Sequence, residues 1–158
     1  MAEEPAIARE DADTGGGADA AELEDRWRRA VADLDNLRKR FARELSRERL
    51  AERNSILRAW LPVVDNLERA LAHAGEDASP VVGGVRAVRD QAVDLLAQLG
   101  YPRQDQTGVP FDPYRHEVVE VVADARYADG TVVRVVRPGY GEGETQLRPA
   151  AVAVNRRG

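Results

Sequence analysis

The sequence predicts an α+β protein in which a long N-terminal helix and short amphipathic helices precede a small C-terminal all-β domain. Three observations lead there. Residues Ala21 to Trp60 contain neither proline nor glycine and place large apolar side chains at Leu23, Trp27, Leu34, Leu37, Phe41, Leu45, Ile56 and Trp60, the spacing of an amphipathic helix. Two shorter stretches, Val63–Leu71 and Val81–Leu99, keep a helical spacing. After Tyr101-Pro102 the period changes and β-branched runs take over. The expected division is an acidic tail over 1–20, a coiled-coil-like helix over 21–61, bundle helices over 62–100 and a β-domain over 101–158.

The tail carries six acids, one arginine and the run Gly15-Gly16-Gly17, with Ile7 its sole large aliphatic residue. Such a composition buries too little apolar surface to offset its ordering entropy, which predicts disorder. In the long helix, Leu23, Leu34, Leu45, Ile56 and Leu67 recur every eleven residues, close to three turns of about 3.67 residues each. That stripe is too narrow for the middle of a globular core and suits a seam between two helices. Around it, Glu24 precedes Arg28, Asp25 precedes Arg29 and Asp35 precedes Lys39 by four residues. Pairs of this kind contribute roughly a few tenths of a kcal/mol and keep an exposed rod soluble. At about 1.5 Å per residue the rod spans about 60 Å, longer than any later element can cover. A second copy of the chain is therefore the predicted partner, with those five residues as the dimerisation stripe. Between Leu45 and Ile56 only Leu50 and Ala51 are apolar, so the rod is expected to be the least stable part.

Pro62 removes a backbone donor and clashes with the preceding turn, predicting a kink or break with Pro62 opening the next segment. A linker over Gly75–Pro80 leads to a helix over Val81–Leu99, with Val85, Val88, Ala92, Leu95, Leu96 and Leu99 on one side and Gly100 as its stop. Two short helices cannot close a core alone, but two chains supply four, which predicts a dimeric four-helix bundle. Strands are expected at His116–Val122, Thr131–Val136 and Ala150–Val154. Asp129-Gly130 predicts a hairpin between the first two, and Pro138-Gly139 a turn with Gly139 at positive φ.

Composition narrows the function. The chain has no cysteine, which excludes zinc-thiolate sites, disulfides and thiol chemistry and makes a cytoplasmic home the expectation. No apolar run approaches the ~20 residues of a membrane span, and the acidic start has the wrong charge for a signal peptide. A net charge of -5 argues against nucleic acid. The basic stretch of the rod interleaves eleven bases with eight acids between Glu22 and Arg58, the pattern of a solvated face.

His116-Glu117 with Asp112 is the one cluster resembling a catalytic or metal site. A first-row metal needs three or four ligands, and His73 lies on a distant helix, so a hydrogen-bonded structural histidine at a strand start is expected. Ser46, Ser55 and Ser79 lie on the rod or linker, outside any nucleophile elbow. Gly139, Gly141 and Gly143 lack the following Lys-Ser/Thr and helix of a phosphate loop and read as turn glycines. No enzyme chemistry and no cofactor is expected. A dimerising rod with a β-domain too small for a buried pocket has the form of a binding device.

Five stretches resemble the GrpE family of nucleotide exchange factors for DnaK-type chaperones. They are Asp35-Asn-Leu-Arg-Lys-Arg40, Leu61-Pro-Val-Val-Asp-Asn-Leu-Glu-Arg-Ala-Leu71, Phe111-Asp-Pro-Tyr-Arg-His-Glu117, Arg137-Pro-Gly-Tyr140 and Leu147-Arg-Pro-Ala-Ala-Val-Ala-Val154. The resemblance implies a parallel dimer with a paired long helix, a four-helix bundle and one β-domain per protomer. It implies a co-chaperone without a nucleotide of its own, which grips the chaperone's ATPase domain, opens its cleft and speeds ADP release, with helix melting as a possible thermal switch in some members. The residues it implies for that grip are Phe111, Asp112, Val136, Arg148 and Val154, with basic contacts from Arg38, Arg47 and Arg69. Two of these also have a physical case. Phe111 lies in a loop between prolines, where an aromatic anchors an interface or closes the small core. Arg148 precedes Pro149, which cannot join a sheet ladder, predicting an outward-facing edge and a guanidinium free for partner carboxylates. Thr145, where the family usually has a basic residue, and Gly141-Glu-Gly-Glu144, where it is richer in Asn and Arg, are departures. A coiled-coil scaffold or adaptor whose β-domain binds another protein is the alternative from a different class.

Overall fold

A computed structural model describes residues 15–75 and 79–156. The chain divides into two compact units, one through Glu48 and the other from Arg49 onward. The elements in order are helix α1 (Gly15–Ala74), helix α2 (Pro80–Gln98), strands β1 (Arg103–Gln104), β2 (His116–Val122), β3 (Val132–Arg137) and β4 (Gly139–Tyr140), a 3-10 turn (Gly143–Thr145) and strand β5 (Ala150–Asn155). The α+β class is as the sequence predicts.

Helix α1 departs from the expected bounds at two points. It begins at Gly15 rather than Ala21, so the predicted disorder is not found over 15–20, while residues 1–14 lie outside the described part. Glycine disfavours helix, but extending an existing helix costs far less than nucleating one, and the Ala- and Glu-rich sequence downstream supplies the nucleus. The helix also runs through Pro62 instead of ending there. An internal proline costs about 3 kcal/mol, and here the residues on either side are held: Leu61 and Val64 are both fully buried.

Helix α2 starts at Pro80, one residue before the expected Val81. Ser79 is extended and its hydroxyl accepts from the Val82 amide at 3.4 Å, Pro80 occupies the first turn, and Gly100 follows at φ 91°. Ala92 and Leu96 pack with Leu61, Val64, Tyr101, Tyr140 and Leu147 in one core cluster, within the unit that starts at Arg49.

The predicted hairpin is not formed. Strand β5 lies between the other two in the order β2-β5-β3, parallel to β2 and antiparallel to β3. Asp129-Gly130 still turns the chain, with Gly130 at φ 76°, but the Gly130 amide donates to the Asn155 carbonyl at 2.9 Å, at the end of β5. Burial decides the order: every residue of β5 is buried, whereas β2 exposes five of its seven. A strand apolar on both faces takes the centre, and one carrying two glutamates takes an edge. A second core cluster of Val132, Ala150, Val152 and Val154 forms on this sheet, with Val109, Phe111 and Val135 packed against it.

The other turn expectation also changes. Gly139 does not take positive φ; it lies in β4, where an added Cβ would sit 2.6 Å from the Ala150 nitrogen, so its role is close approach. Gly141, at φ 79°, is the positive-φ position beside it.

Candidate functional site

The second unit is organised by one face of α1. Asn54, Arg58, Leu61, Asp65 and Glu68 recur at three- and four-residue spacing and so share a side of the helix. The Asn54 amide donates to the Glu144 carbonyl at 2.9 Å, and its side-chain oxygen accepts from the Tyr101 hydroxyl at 2.6 Å. Arg58 Nε donates to the Leu147 carbonyl at 2.8 Å. Asp65 takes both arms of Arg148, at 2.6 and 2.5 Å, and Glu68 pairs with Arg103. Leu61 is the apolar centre of this row.

Arg148 is turned inward, which overturns the outward edge expected from Pro149. Its side chain is 14% exposed, its Nε donates to the Pro138 carbonyl at 3.0 Å, and its guanidinium lies 5.7 Å from the centre of the Tyr140 ring. The residue precedes the central strand of the sheet, and the carboxylate that claims it comes from the helix. Val154 is likewise buried within the sheet cluster, with little surface to present. Phe111 is half-buried against the same cluster, its ring 6.0 Å from that of His116.

Asp112 works within its own loop. Its carboxylate accepts from the Tyr114 amide at 2.9 Å, and its backbone amide donates to His116 Nδ1 at 3.1 Å. That bond needs an imidazole with Nδ1 unprotonated. Burial, then the charge of Arg115, lowers the pKa of His116, against an opposing pull from Asp112. His116 is thus hydrogen-bonded within its own loop, and among the described residues no group of His, Cys, Asp or Glu is placed to hold a metal ion. Elsewhere burial opposes the charge of Arg103, but its bonds to Glu68 and Asp105 outweigh that and hold its pKa above the ordinary arginine value. Burial pushes the Tyr140 phenol up.

Exposed positions remain. Val136 on β3 is 49% exposed, and Val118, Val119 and Val121 on β2 are comparably open. Arg38 and Arg47 are exposed in the first unit, and Arg69 is exposed in the second, where it donates to Asn66 Oδ1. Along the expected dimer stripe Leu23, Leu34, Leu45 and Ile56 are exposed and Leu67 is half-buried.

Residues 4–156 match the GrpE family model. The chain belongs to the GrpE family. It is 67% identical over 136 residues to Protein GrpE 2 of Streptomyces avermitilis, covering 86% of this chain and 67% of that one. Identity to Protein GrpE of Syntrophobacter fumaroxidans is 40% over 135 residues, 84% of this chain and 71% of the relative. Identity to Protein GrpE of Methanosarcina acetivorans is 37% over 137 residues, 85% and 66%. The chain thus spans about two thirds of the length of these curated relatives.

In this GrpE-family chain, three of the motif stretches meet around one side chain: Arg148 comes from one, Asp65 from a second, and Pro138 and Tyr140 from a third. A fourth joins through the Ala150 amide, which donates to the Arg115 carbonyl at 2.9 Å. The departure at Thr145 also has an internal use. Its hydroxyl donates to the Glu142 carbonyl at 2.8 Å and closes the 3-10 turn. The bonds from Asn54, Arg58 and Asp65 of α1 to Glu144, Leu147 and Arg148 join residues 83 and more positions apart, a link that no local pattern reports.

Proposed function

We propose that this protein is a co-chaperone that grips the ATPase domain of a DnaK-type chaperone, opens the nucleotide cleft and accelerates release of ADP. The observation that carries this reading is the GrpE family match over residues 4–156. The protein acts by binding, as a homodimer paired along Leu23, Leu34, Leu45, Ile56 and Leu67 in the cytoplasm, with no catalytic group and no cofactor of its own. Its factor-bound chaperone favours the open cleft, and the same differential affinity weakens nucleotide binding reciprocally. No described helix is long and apolar enough to cross a membrane.

On the second unit we assign exposed Val136, Arg69 and the Phe111-Asp112 loop to the chaperone; on the first unit, taken by itself, we assign Arg38 and Arg47 as basic contacts. Arg148 and Val154 support that surface from within. The long helix, poor in buried area before Ile56, is the part we assign to heat sensing. The test is release of a fluorescent ADP analogue from a DnaK-type chaperone, with and without this protein. Faster release is expected; an unchanged rate withdraws the exchange-factor reading and leaves an adaptor.

A further inference from the structure

The docked face of α1 uses its charges in a way that exposed ion pairs do not. Arg148 and Asp65 meet through a two-bond fork, with their side chains 14% and 23% exposed. A planar guanidinium held by a bidentate carboxylate has one preferred orientation, and a third bond to Pro138 fixes the remaining rotation. On either side of Arg148 the backbone is held as well. The Leu147 carbonyl receives Arg58, the Leu147 amide donates to the Tyr140 carbonyl at 2.9 Å, and the Tyr140 amide donates to the Arg148 carbonyl at 3.2 Å. Immediately after Pro149, the chain enters β5, the central strand on which both β2 and β3 depend.

We propose that Asp65 and Arg148 are positioning residues: their fork sets the angle at which β5, and with it the exposed edge carrying Val136, leaves the face of α1. The proposal rests on the exchange-factor reading and deepens it, because neither side chain is offered to the chaperone. Losing the fork frees the sheet to take several directions. Binding then has to restore one of them, which weakens affinity while leaving the bound complex, and hence its maximal rate, as before.

The experiment uses the full chain and a DnaK-type chaperone and measures ADP release against factor concentration. Wild type comes first: if it gives no acceleration, the exchange-factor reading itself has failed. With wild type active, Asp65→Asn and Arg148→Gln should each raise the half-saturating concentration about tenfold, leave the maximal rate within about twofold, and combine without adding. The exchanged pair, Asp65→Arg with Arg148→Asp, should recover most of the loss, which a direct contact of Arg148 with the chaperone would not allow. The proposal is overturned if both single variants keep wild-type half-saturation, if their losses add, or if the exchanged pair is folded yet as weak as the singles. Should a single variant lose its sheet by circular dichroism, the exchanged pair alone decides between these outcomes.

Discussion

The two parts of α1 read alike in sequence and behave differently. Up to Glu48, every residue whose side chain is described is exposed, and its ion pairs are local: Arg26 with Glu22, Arg28 with Glu24, Lys39 with Asp35, all one turn apart. Beyond Arg49 the same helix buries Asn54, Leu61 and Val64, and its charges reach across long stretches of chain to Arg103 and Arg148. Pairs of the first kind hold a helix soluble and contribute little. Those of the second kind specify which surfaces meet. The apolar residues differ in the same way, since Leu61 and Val64 are buried within the chain whereas Leu23, Leu34 and Leu45 are exposed on it.

That contrast can be broken most sharply at its exposed end. Replacing Leu34 and Leu45 together with Asp puts charge into the seam on which the proposed dimer depends. Light scattering should then fall from about twice the chain mass of 17.4 kDa to the single mass, and an unchanged dimer would place the interface elsewhere. At the docked end, Leu61→Ala opens a cavity in a fully buried site and should cost about 2–5 kcal/mol. Circular dichroism during heating should show two transitions, with Leu61→Ala lowering only the one that belongs to the second unit. A single shared transition would mean that the two regions are coupled more tightly than their burial suggests.

The smallest expected effect concerns pH. The folded-state pKa of His116 is depressed, so its contribution to stability is fully present above the unfolded value near 6.5 and is lost as pH falls through the lower folded value. Urea unfolding between about pH 7 and about pH 5 should therefore lose stability more steeply for wild type than for His116→Asn, whose amide oxygen can still accept from Asp112. Equal slopes would show that the histidine is not the group responsible.

What was legible in the sequence follows the same division. Local signals placed α2 within one residue, through its apolar spacing and Gly100, and placed β2 by its valine run. They reported period and punctuation, which are properties of neighbours in the chain. They could not report partners. The Asp129-Gly130 turn was visible, but the insertion of β5 beside both neighbours was not, because nothing near position 130 encodes the burial of Ala150–Asn155. Pro62 was read by its local cost, which the anchoring of Leu61 and Val64 outweighs. Arg148 was read from Pro149 beside it, while its orientation is set by a carboxylate 83 residues away.

The central place of β5 has a consequence for synthesis. As the chain leaves the ribosome, β2 and β3 emerge first, and neither has a strand to pair with until Ala150–Asn155 follows. During that interval two valine-rich ribbons carry unpaired backbone edges, the condition under which nascent chains associate wrongly. The glutamates of β2 and the arginines of β3 then have a second use: Glu117, Glu120, Arg134 and Arg137 put charge on both ribbons before the strand that separates them arrives. Like charges at these positions disfavour edge-to-edge pairing of either ribbon with the same ribbon of another chain.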